Sequence, residues 1–266
     1  MSTKEQSVTL LRRNKREQAT AFNAVGLTHV NQDSRASEFG KYIKWAGGLL
    51  DLCIAVQHLE NETYHYFTRE EWDSLTNVNK EKFVKRGLRV RAYGHSFILA
   101  PGDCFDSAGS TLVAWANRKE VAGLANRTCG DAYNDFAGKE NTNLIIEALS
   151  GATGPQNVNG APAAEVAASY KAYTKEYDGL DDESDWHLPG LGVLITIYKC
   201  KTEIQEALEY FWSSESRFAE SESNNTYWSS TECDASTAFS SSIHTSVINP
   251  ANKETAFRVR AVCEEV

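Results

Sequence analysis

The sequence predicts an α+β fold, because strand-like and helical patterns both occur in its C-terminal two thirds. Strand-like patterns appear near residues 88–99 and again at 257–262. In the second of these, Phe257, Val259 and Ala261 share one face and the arginines between them share the other, since side chains alternate along a strand. Helical patterns lie between the two, at about 141–149 and 162–173.

Several of these elements carry recognisable start signals. Thr68 followed by Glu71 matches a capping box that opens a short helix. Pro162 suits the first turn of an alanine-rich helix, where the backbone N–H that proline lacks is not needed. The other expected elements are a strand at Leu112–Trp115, a helix capped by Asn141 or Thr142, and a helix opened by a capping box of Thr202 and Gln205.

The first third of the chain is expected to form a separate region. Residues 1–87 are interpreted as a smaller, mainly helical unit, and residues 88–266 as the main domain. A weak helical period predicts one helix up to about residue 25. A second helix is expected to begin near Ser34 and to carry Tyr42, Ile43 and Trp45.

The segment from Leu49 to Val56 is almost entirely apolar. Periodicity alone does not decide whether it continues as a helix or forms a buried strand. An apolar run this early in the chain suggests oligomerisation or attachment to a larger particle. The alternative is that it packs on the chain's own core, and the sequence leaves both open.

Composition limits the class of partner. The 266 residues carry a formal net charge of −9 and a pI of about 5.3, which argues against a nucleic-acid partner because such a partner requires a basic face. Hydrophobic residues make up 41% and aromatic residues 11% of the chain. A sizeable core can therefore form, in one large domain or two small ones.

The N-terminal segment shows no export signal. Residues 1–7 are mostly polar and lack the apolar core of a signal peptide. No apolar run approaches the roughly 20 residues that a membrane-spanning helix needs. We therefore expect a protein that is made in the cytoplasm, is not exported by the general pathway and is not inserted in a membrane.

Catalytic and metal-binding motifs are missing from the sequence. The six histidines show neither the His-x-x-x-His nor the His-Glu-x-x-His spacing of metal sites. There is no Gly-x-Ser-x-Gly elbow, phosphate-binding loop or dinucleotide fingerprint. The acidic run at 178–185 is interpreted as a solvated loop rather than a calcium site. We expect no enzyme activity, no cofactor and no metal.

One window near the C-terminus differs from the rest of the chain. Between Cys233 and Asn252 there is no Met, Trp, Gln, Lys or Glu. These are the residue types that codons of the form NNY cannot encode. The window therefore has the composition expected where the first two codon positions are randomised above a fixed pyrimidine. The alternative is that a serine-rich loop simply lacks those residues.

Short motifs surround this window and also occur upstream. Tyr227–Glu232 has the sequence Tyr-Trp-Ser-Ser-Thr-Glu, Lys253 follows the window, and 258–262 is Arg-Val-Arg-Ala-Val. Gly94–Ala100 is a predicted strand, and Trp186–Gly192 has the sequence Trp-His-Leu-Pro-Gly-Leu-Gly. Together these motifs resemble those of variable proteins from diversity-generating retroelements, in particular those of gut bacteria and their phages.

The resemblance covers about residues 88–266 and implies a C-type-lectin-like domain, a fold shared with formylglycine-generating enzymes. It places residues 141–146 in the first long helix and residues 191–198, despite their β-branched side chains, in another helix. It also implies a variable region at about 227–262, whose side chains differ between copies while the scaffold stays fixed. Arg258 and Arg260 are expected to brace the acidic or carbonyl-rich underside of this region rather than to touch a ligand.

Candidate ligand-binding residues come from the window, because small polar side chains lose little rotamer entropy on binding and an aromatic one can anchor a site. We expect Asp234, Phe239, His244 and Asn249 to gather on one accessible surface. Phe239 and Ile243 could instead be buried in the hairpin core. The full candidate set is Cys233, Asp234, Ser236, Thr237, Phe239, Ser240, Ser242, His244, Ser246, Val247, Asn249 and Asn252.

The resemblance implies a receptor-binding adhesin, located in the virion at a phage tail tip or fibre if the chain is phage-encoded. Its expected partners are a host cell-surface protein or glycan, other phage tail proteins, and further copies of the chain in a homo-oligomer. A trimer is favoured, since avidity can offset weak single sites.

Two other classes stay open at the level of the sequence. One is a non-variable lectin-like module of a bacterial surface or prophage protein, with a structural or carbohydrate-binding role. The other is an oxidase-like enzyme of the same fold, which would use paired cysteines such as Cys200 and Cys263 to handle copper.

Overall fold

The computed structural model describes residues 42–45, 48–117, 120–121, 123–149, 151–152, 158–171, 185–219, 225–245 and 247–265. Within these residues the chain combines α-helices with antiparallel sheets, so the α+β class is confirmed. The helices expected before residue 42, and all but the last residue of the acidic run at 178–185, lie outside the described residues.

The largest sheet joins the two ends of the described chain. Its members are β1 (Tyr42–Trp45), β2 (Gly48–His58), β3 (Tyr64–Phe67), β4 (Phe83–Ala92), β5 (His95–Leu99) and β11 (Val262–Cys263). The strand order is β1-β2-β4-β5-β11, and β3 pairs with β2 outside that path. The expected division at residue 87 therefore falls inside a strand, and residues on both sides of it belong to one sheet.

The helix expected over Tyr42, Ile43 and Trp45 is wrong, because these residues form strand β1. β1 pairs with β2 along its whole length, from Tyr42 opposite Asp51 to Trp45 opposite Gly48. Aromatic and β-branched side chains favour strands, and pairing with a long neighbour outweighs a weak helical period. The part of the N-terminal region from residue 42 to residue 67 is thus mainly strand rather than mainly helix.

The apolar run Leu49–Val56 forms most of strand β2. Leu50, Ile54 and Val56 are buried in one core cluster with residues of the main domain, including Leu194. Packing on the chain's own core accounts for the apolar character of this run, which was one of the two alternatives that the sequence left open.

Strand β4 approaches β5 so closely at Gly87 that no side chain fits there. A Cβ atom at this position would lie 2.6 Å from Ile98 Cγ2 and 2.7 Å from the Leu99 carbonyl oxygen. Opposite Gly87, the register of β2 shifts between Ala55 and Val56. A bulge of this kind increases the local twist of a sheet, and glycine often marks such close approaches.

Helices connect and cover these strands. Thr68 caps the first as predicted, since its hydroxyl accepts from the Glu71 N–H and the Glu71 carboxylate accepts from the Thr68 N–H. Pro162 lies in the first turn of its helix, also as predicted. The helices are α1 (Arg69–Ser74), α2 (Asn77–Lys80), α3 (Cys129–Ala132), α4 (Gly138–Leu149), α5 (Pro162–Ala168), α6 (Leu191–Lys199) and α7 (Lys201–Phe211).

Two predicted helix caps are wrong. Asn141 and Thr142 lie inside α4, which begins at Gly138. Their side chains make tertiary hydrogen bonds instead of capping the helix. Thr202 lies inside α7, which begins at Lys201 without a side-chain cap. In both cases the capping residue type was present, but the helix begins earlier than the sequence pattern suggested.

Two smaller sheets complete the C-terminal part of the fold. β6 (Val113–Ala114) pairs with β10 (Ala256–Phe257), and β7 (Thr226–Glu232), β8 (Thr237–Ser242) and β9 (Ile248–Asn252) form a three-stranded sheet. The strand predicted at Leu112–Trp115 is thus present but shorter. The predicted strand at 257–262 is divided between β10 and β11, with Val259 and Ala261 fully buried between them.

Two tryptophans hold the smaller sheets to the core. Trp115 and Trp228 have no exposed surface. The indole N–H of Trp115 donates to the Ser229 carbonyl oxygen at 2.7 Å, and that of Trp228 donates to the Val113 carbonyl oxygen at 3.0 Å. A buried indole ring fills space in the core, and the hydrogen bond of its N–H group also fixes the orientation of the ring.

Among the helices that the structure describes, none combines the length and apolar character needed to cross a membrane.

Candidate functional site

The window 233–252 contributes two strands of the three-stranded sheet. β8 is the central strand, with β7 on one side and β9 on the other. Residues 233–236 connect β7 to β8, and the connection from β8 to β9 begins at residue 243. These connections lie at opposite ends of β8, roughly 17 Å apart at about 3.4 Å of rise per residue.

Phe239 is fully buried, so the expectation that it lies on an accessible surface is wrong. Its ring belongs to a cluster with Ala132 and Leu191, against which Cys233 and Ile248 also pack. Helix α6 packs on β8, and α3 supplies Ala132, so the central strand is covered where a two-stranded hairpin would be open. The alternative that the sequence left for Phe239, burial in the core, is the one observed.

Ile243, Ser240 and Ser242 are buried as well. The Ser240 hydroxyl donates to the Asn249 carbonyl oxygen at 3.2 Å, and the Ser242 hydroxyl donates to Asn225 Oδ1 at 3.0 Å. These two serines were candidate ligand-binding residues, yet their hydroxyls are used to hold neighbouring segments. With Phe239, they are structural members of the window.

The first exposed group lies at the turn before β8. Asp234 and Ser236 are exposed, and Cys233 and Thr237 are half-buried. Asp234 Oδ1 accepts from the backbone N–H groups of Ser236 at 2.7 Å and Thr237 at 2.8 Å. The hydrogen bond from Ser236, together with those from Thr237, lowers the pKa of the Asp234 carboxyl. The turn therefore carries an ionised carboxylate that fixes its own backbone.

The second exposed group follows β8. His244, Thr245 and Val247 are exposed, while Ser246 lies outside the described residues. The Ser242 hydroxyl accepts from the backbone N–H groups of His244 at 3.3 Å and Thr245 at 3.1 Å. The buried serine thus sets the backbone from which the exposed side chains project.

Strand β9 runs between the two groups along the edge of the sheet. Asn249 and Pro250 are exposed and Asn252 is half-buried. The Ser242 N–H donates to the Val247 carbonyl oxygen at 2.9 Å. By the alternation of an antiparallel ladder, the nitrogen of Pro250 then points away from β8. Proline at that position removes one donor from the outer edge of the sheet.

A buried ion pair closes the base of the window. Glu232 and Lys253 have no exposed side-chain surface, and the ammonium group of Lys253 donates to Glu232 Oε1. The Val121 N–H donates to the same oxygen at 3.2 Å, and the ammonium nitrogen lies 4.8 Å from the centre of the Trp115 ring. Burial raises the pKa of Glu232 and lowers that of Lys253, and the ion pair opposes both shifts.

The motif at 227–232 is a scaffold and does not reach solvent. Thr231 is fully buried, and its hydroxyl donates to Asp135 Oδ2 at 2.8 Å while accepting from the Leu191 N–H at 2.9 Å. Asn141 donates to the same carboxylate oxygen at 3.0 Å, and Arg127 Nε lies 3.3 Å from it. Asp135 therefore joins β7 to α4 and α6 beneath the window.

Arg258 and Arg260 share one carboxylate. Arg258 Nη1 and Arg260 Nε each lie 2.7 Å from an oxygen of Asp103. The remaining N–H groups of Arg260 donate to the carbonyl oxygens of Ala100, Pro101, Ser216 and Arg217. The expected carbonyl-rich surface exists, but it belongs to the loops at 100–103 and 216–217. The expectation that these arginines brace the window itself is wrong.

The described residues contain no group of three or more His, Cys, Asp or Glu side chains that could hold a metal ion. All of the cysteines are free thiols. Burial raises the pKa of Cys200 and of Cys263 to about 12. Such thiols stay protonated near neutral pH, whereas a soft metal such as copper is bound by the thiolate.

Sequence reasoning missed three of the residues that shape this region. Glu232 and Lys253 were noted as parts of motifs, but their pairing was not predicted. Their signal was present, because they are the charged residues on either side of the window. Asp135 carried no such signal, since its partner Thr231 on β7 is 96 residues away in the sequence.

No protein-family model matches this sequence, and a search of curated proteins finds no match for it either.

Proposed function

We propose that this protein is a retroelement-diversified ligand-binding protein, a receptor-binding adhesin that presents variable side chains on a C-type-lectin-like scaffold. The observation that carries the proposal is the contrast between the window and its flanks. Glu232 and Lys253 are fully buried and paired on either side of it. Between them, two exposed turns and an exposed edge strand carry only residue types that NNY codons encode.

The order of the elements supports the proposed fold. Strand β5 contains most of Gly94–Ala100 and pairs with the C-terminal strand β11. Helix α4 contains residues 141–146, and α6 follows the Trp186–Gly192 segment. An early strand pairs with the last one, and helices lie between them in the chain. The window itself forms two strands of the C-terminal sheet, and its connecting turns are exposed, as suits a domain that displays loops.

Burial reduces the proposed binding set. Phe239, Ser240 and Ser242 are assigned to the scaffold, and Ser246 remains a candidate from the sequence alone. Ligand contact is assigned to the exposed or half-buried residues in two groups with β9 between them, namely Cys233, Asp234, Ser236, Thr237, His244, Val247, Asn249 and Asn252. Short polar side chains of this kind form adaptable hydrogen bonds at low entropic cost.

One observation favours a second candidate, a non-variable lectin-like module with a structural or carbohydrate-binding role. Phe239, Ser240 and Ser242 lie within the window but are buried, and both serines make hydrogen bonds. Changing them at random would often create cavities or unsatisfied polar groups. If the window varied freely, we would expect these three positions either to remain constant or to yield many variants that fail to fold.

A genomic comparison separates the two candidates. For a variable protein, we expect a near-copy of the DNA that encodes residues 227–262, beside a gene for a reverse transcriptase. The two copies should differ at adenines of the template. The differing codons should fall on the exposed positions more often than on Phe239, Ser240 and Ser242. A genome with no such copy supports the fixed module.

The partners of the protein are part of the same proposal. We place the chain at a phage tail tip or fibre, as a homo-oligomer that is favoured to be a trimer, bound to a host-surface protein or glycan. Light scattering with the purified chain measures the number of copies, and a glycan and protein array identifies the ligand. A monomer at micromolar concentration would contradict the trimer, and an array without a hit would count against the adhesin.

A further inference from the structure

A cleft lies next to the second exposed group, between helix α7 and the end of β8. Its volume is about 290 Å³, close to the lower end of the range of about 300–1,000 Å³ that is usual for small-molecule sites. The lining residues come from three segments of the chain: Lys201, Thr202, Gln205, Glu206 and Glu209 from α7, Phe218 and Ala219, and Ile243 and His244. His244 belongs to the window, whereas the other lining residues except Ile243 lie outside it.

The floor of this cleft is rigid and apolar. Phe218 and Ile243 are buried, and the Phe218 ring packs edge-on against Tyr227 at a centroid distance of 5.8 Å. The guanidinium carbon of Arg260 lies 4.8 Å from the centre of the same ring. The Ala219 N–H donates to the Tyr227 hydroxyl at 3.2 Å. The scaffold motifs on both sides of the window therefore hold this floor in place.

The wall of the cleft offers polar groups whose hydrogen-bonding capacity is not used. Thr202 and Glu206 are exposed and Gln205 is half-buried. Over the described residues, the side chains of these three make no hydrogen bond and no ion pair. A hydroxyl, an amide and a carboxylate thus lie along one face of α7, at positions i, i+3 and i+4, which are neighbours on a helix.

The charges around the cleft nearly cancel. Glu209 is neutralised by Arg217, whose Nε lies 2.6 Å from Glu209 Oε1 and whose Nη2 donates to Glu209 Oε2 at 2.8 Å. Lys201 donates to the His244 carbonyl oxygen at 3.0 Å. Lys201 and Glu206 are left with opposite charges, so the cleft favours neither an anion nor a cation.

We propose that this cleft binds one neutral, hydroxyl-rich ring, a saccharide residue, with its apolar face on Phe218 and Ile243 and its hydroxyls on Gln205 and Glu206. A carboxylate accepts from hydroxyl groups and an amide both donates and accepts, which together match adjacent hydroxyls. His244 forms the opposite side, so a change in the window alters the shape of a site whose α7 wall stays constant. This inference rests on the proposed function and assigns its ligand to the glycan class.

The test is a titration of the full chain with methyl glycosides of glucose, galactose, mannose and N-acetylglucosamine, followed by chemical shifts or calorimetry. We expect saturable binding of at least one of them. Glu206→Gln should weaken that binding by about tenfold, because a neutral amide is a weaker acceptor of hydrogen bonds from sugar hydroxyls than a carboxylate is. His244→Ala should change the ranking of the four sugars. A free sugar that binds as tightly as the same sugar in an oligosaccharide shows that one ring fills the cleft.

The matched control is Glu147→Gln, which removes an exposed carboxylate from α4, outside the cleft lining. It should bind sugar as the unchanged chain does. Absence of binding by all four glycosides overturns the proposal, and so does equal loss in Glu206→Gln and Glu147→Gln. A missing template copy beside a reverse transcriptase would remove the diversification but leave sugar binding as measured. Ligand binding that depends on Asn249 but not on Glu206 would retain the adhesin and remove the cleft.

Discussion

The Glu232 carboxylate and the Lys253 ammonium form a buried ion pair that joins the two ends of the window. Glu232 directly precedes Cys233, and Lys253 directly follows Asn252. The Lys253 N–H also donates to the Ser236 carbonyl oxygen at 3.0 Å. Because both charges are removed from solvent, each depends on the other for compensation.

We predict that Lys253→Met destabilises the protein by about 3–5 kcal/mol, since it leaves a buried carboxylate without its counter-charge. Urea denaturation measures the free energy of unfolding. The double variant Lys253→Met with Glu232→Gln should recover part of the loss, because no charge is then buried.

Lys139→Met is the matched control for this prediction. Lys139 pairs with Asp185, whose side chain is 66% exposed, and exposed pairs contribute about 0–1 kcal/mol. Equal losses in Lys139→Met and Lys253→Met would show that burial of the Glu232–Lys253 pair has no special consequence for stability.

The stability of the fold is expected to fall in mild acid because of His187. Burial lowers the pKa of this imidazole, and its Nδ1 lies 2.8 Å from the Asp185 carbonyl oxygen. The unfolded state then binds more protons than the folded state as the pH falls below about 6.5. The stability that neutral His187 contributes is fully present above about pH 6.5, and it is lost as the pH falls from there through the pKa of His187 in the folded state.

His187→Gln should flatten this dependence. The measurement is the free energy of unfolding at about pH 7.5 and about pH 5.5, for the unchanged chain and the variant. A difference between the two proteins that does not change with pH would contradict the role assigned to His187.

Phe239→Ala is expected to cost about 3–5 kcal/mol, the usual loss for a buried phenylalanine. Asn249→Ala, which changes an exposed side chain on the edge strand β9, should alter stability by less than about 0.5 kcal/mol. Thermal melting separates the two. In a binding assay with a ligand identified on the array, Asn249→Ala should lower the affinity more than Phe239→Ala does, when both variants are measured as folded protein. A fully stable Phe239→Ala would indicate that this ring is exposed in solution.

Gly87→Ala is expected to destabilise the protein by about 1–3 kcal/mol or more, since the added methyl group meets Ile98 and the backbone of Leu99. Gly102→Ala is the matched control, because a Cβ atom at Gly102 meets nothing within 4 Å. Equal melting temperatures for the two variants would mean that β4 and β5 can separate without cost.

The sequence was sufficient for elements with local signals. The capping box of Thr68 and Glu71 and the start of α5 at Pro162 are set by residues close together in the chain. It was insufficient where distant partners decide. Strand β1 forms because β2 lies beside it, and the helix expected from Ser34 onward gave no indication of that pairing.

The candidate site shows the same division. Exposure at Asp234 and His244 follows from turn-forming residues around them, which the composition of the window reveals. Burial of Phe239 follows from α6 and α3 covering that face of the sheet, and no residue within the window carries that information. A hairpin taken alone has two faces, and only the rest of the fold determines which of them meets solvent.

Pro250 has a consequence for how many copies can be displayed side by side. Where several copies of a chain lie side by side, identical edge strands come near one another, and such edges can pair into one continuous sheet. At Pro250 the outermost strand offers no hydrogen at the midpoint of its free side, so a neighbour cannot extend the ladder across it. Neighbouring copies are then expected to remain separate folded units even at high local concentration.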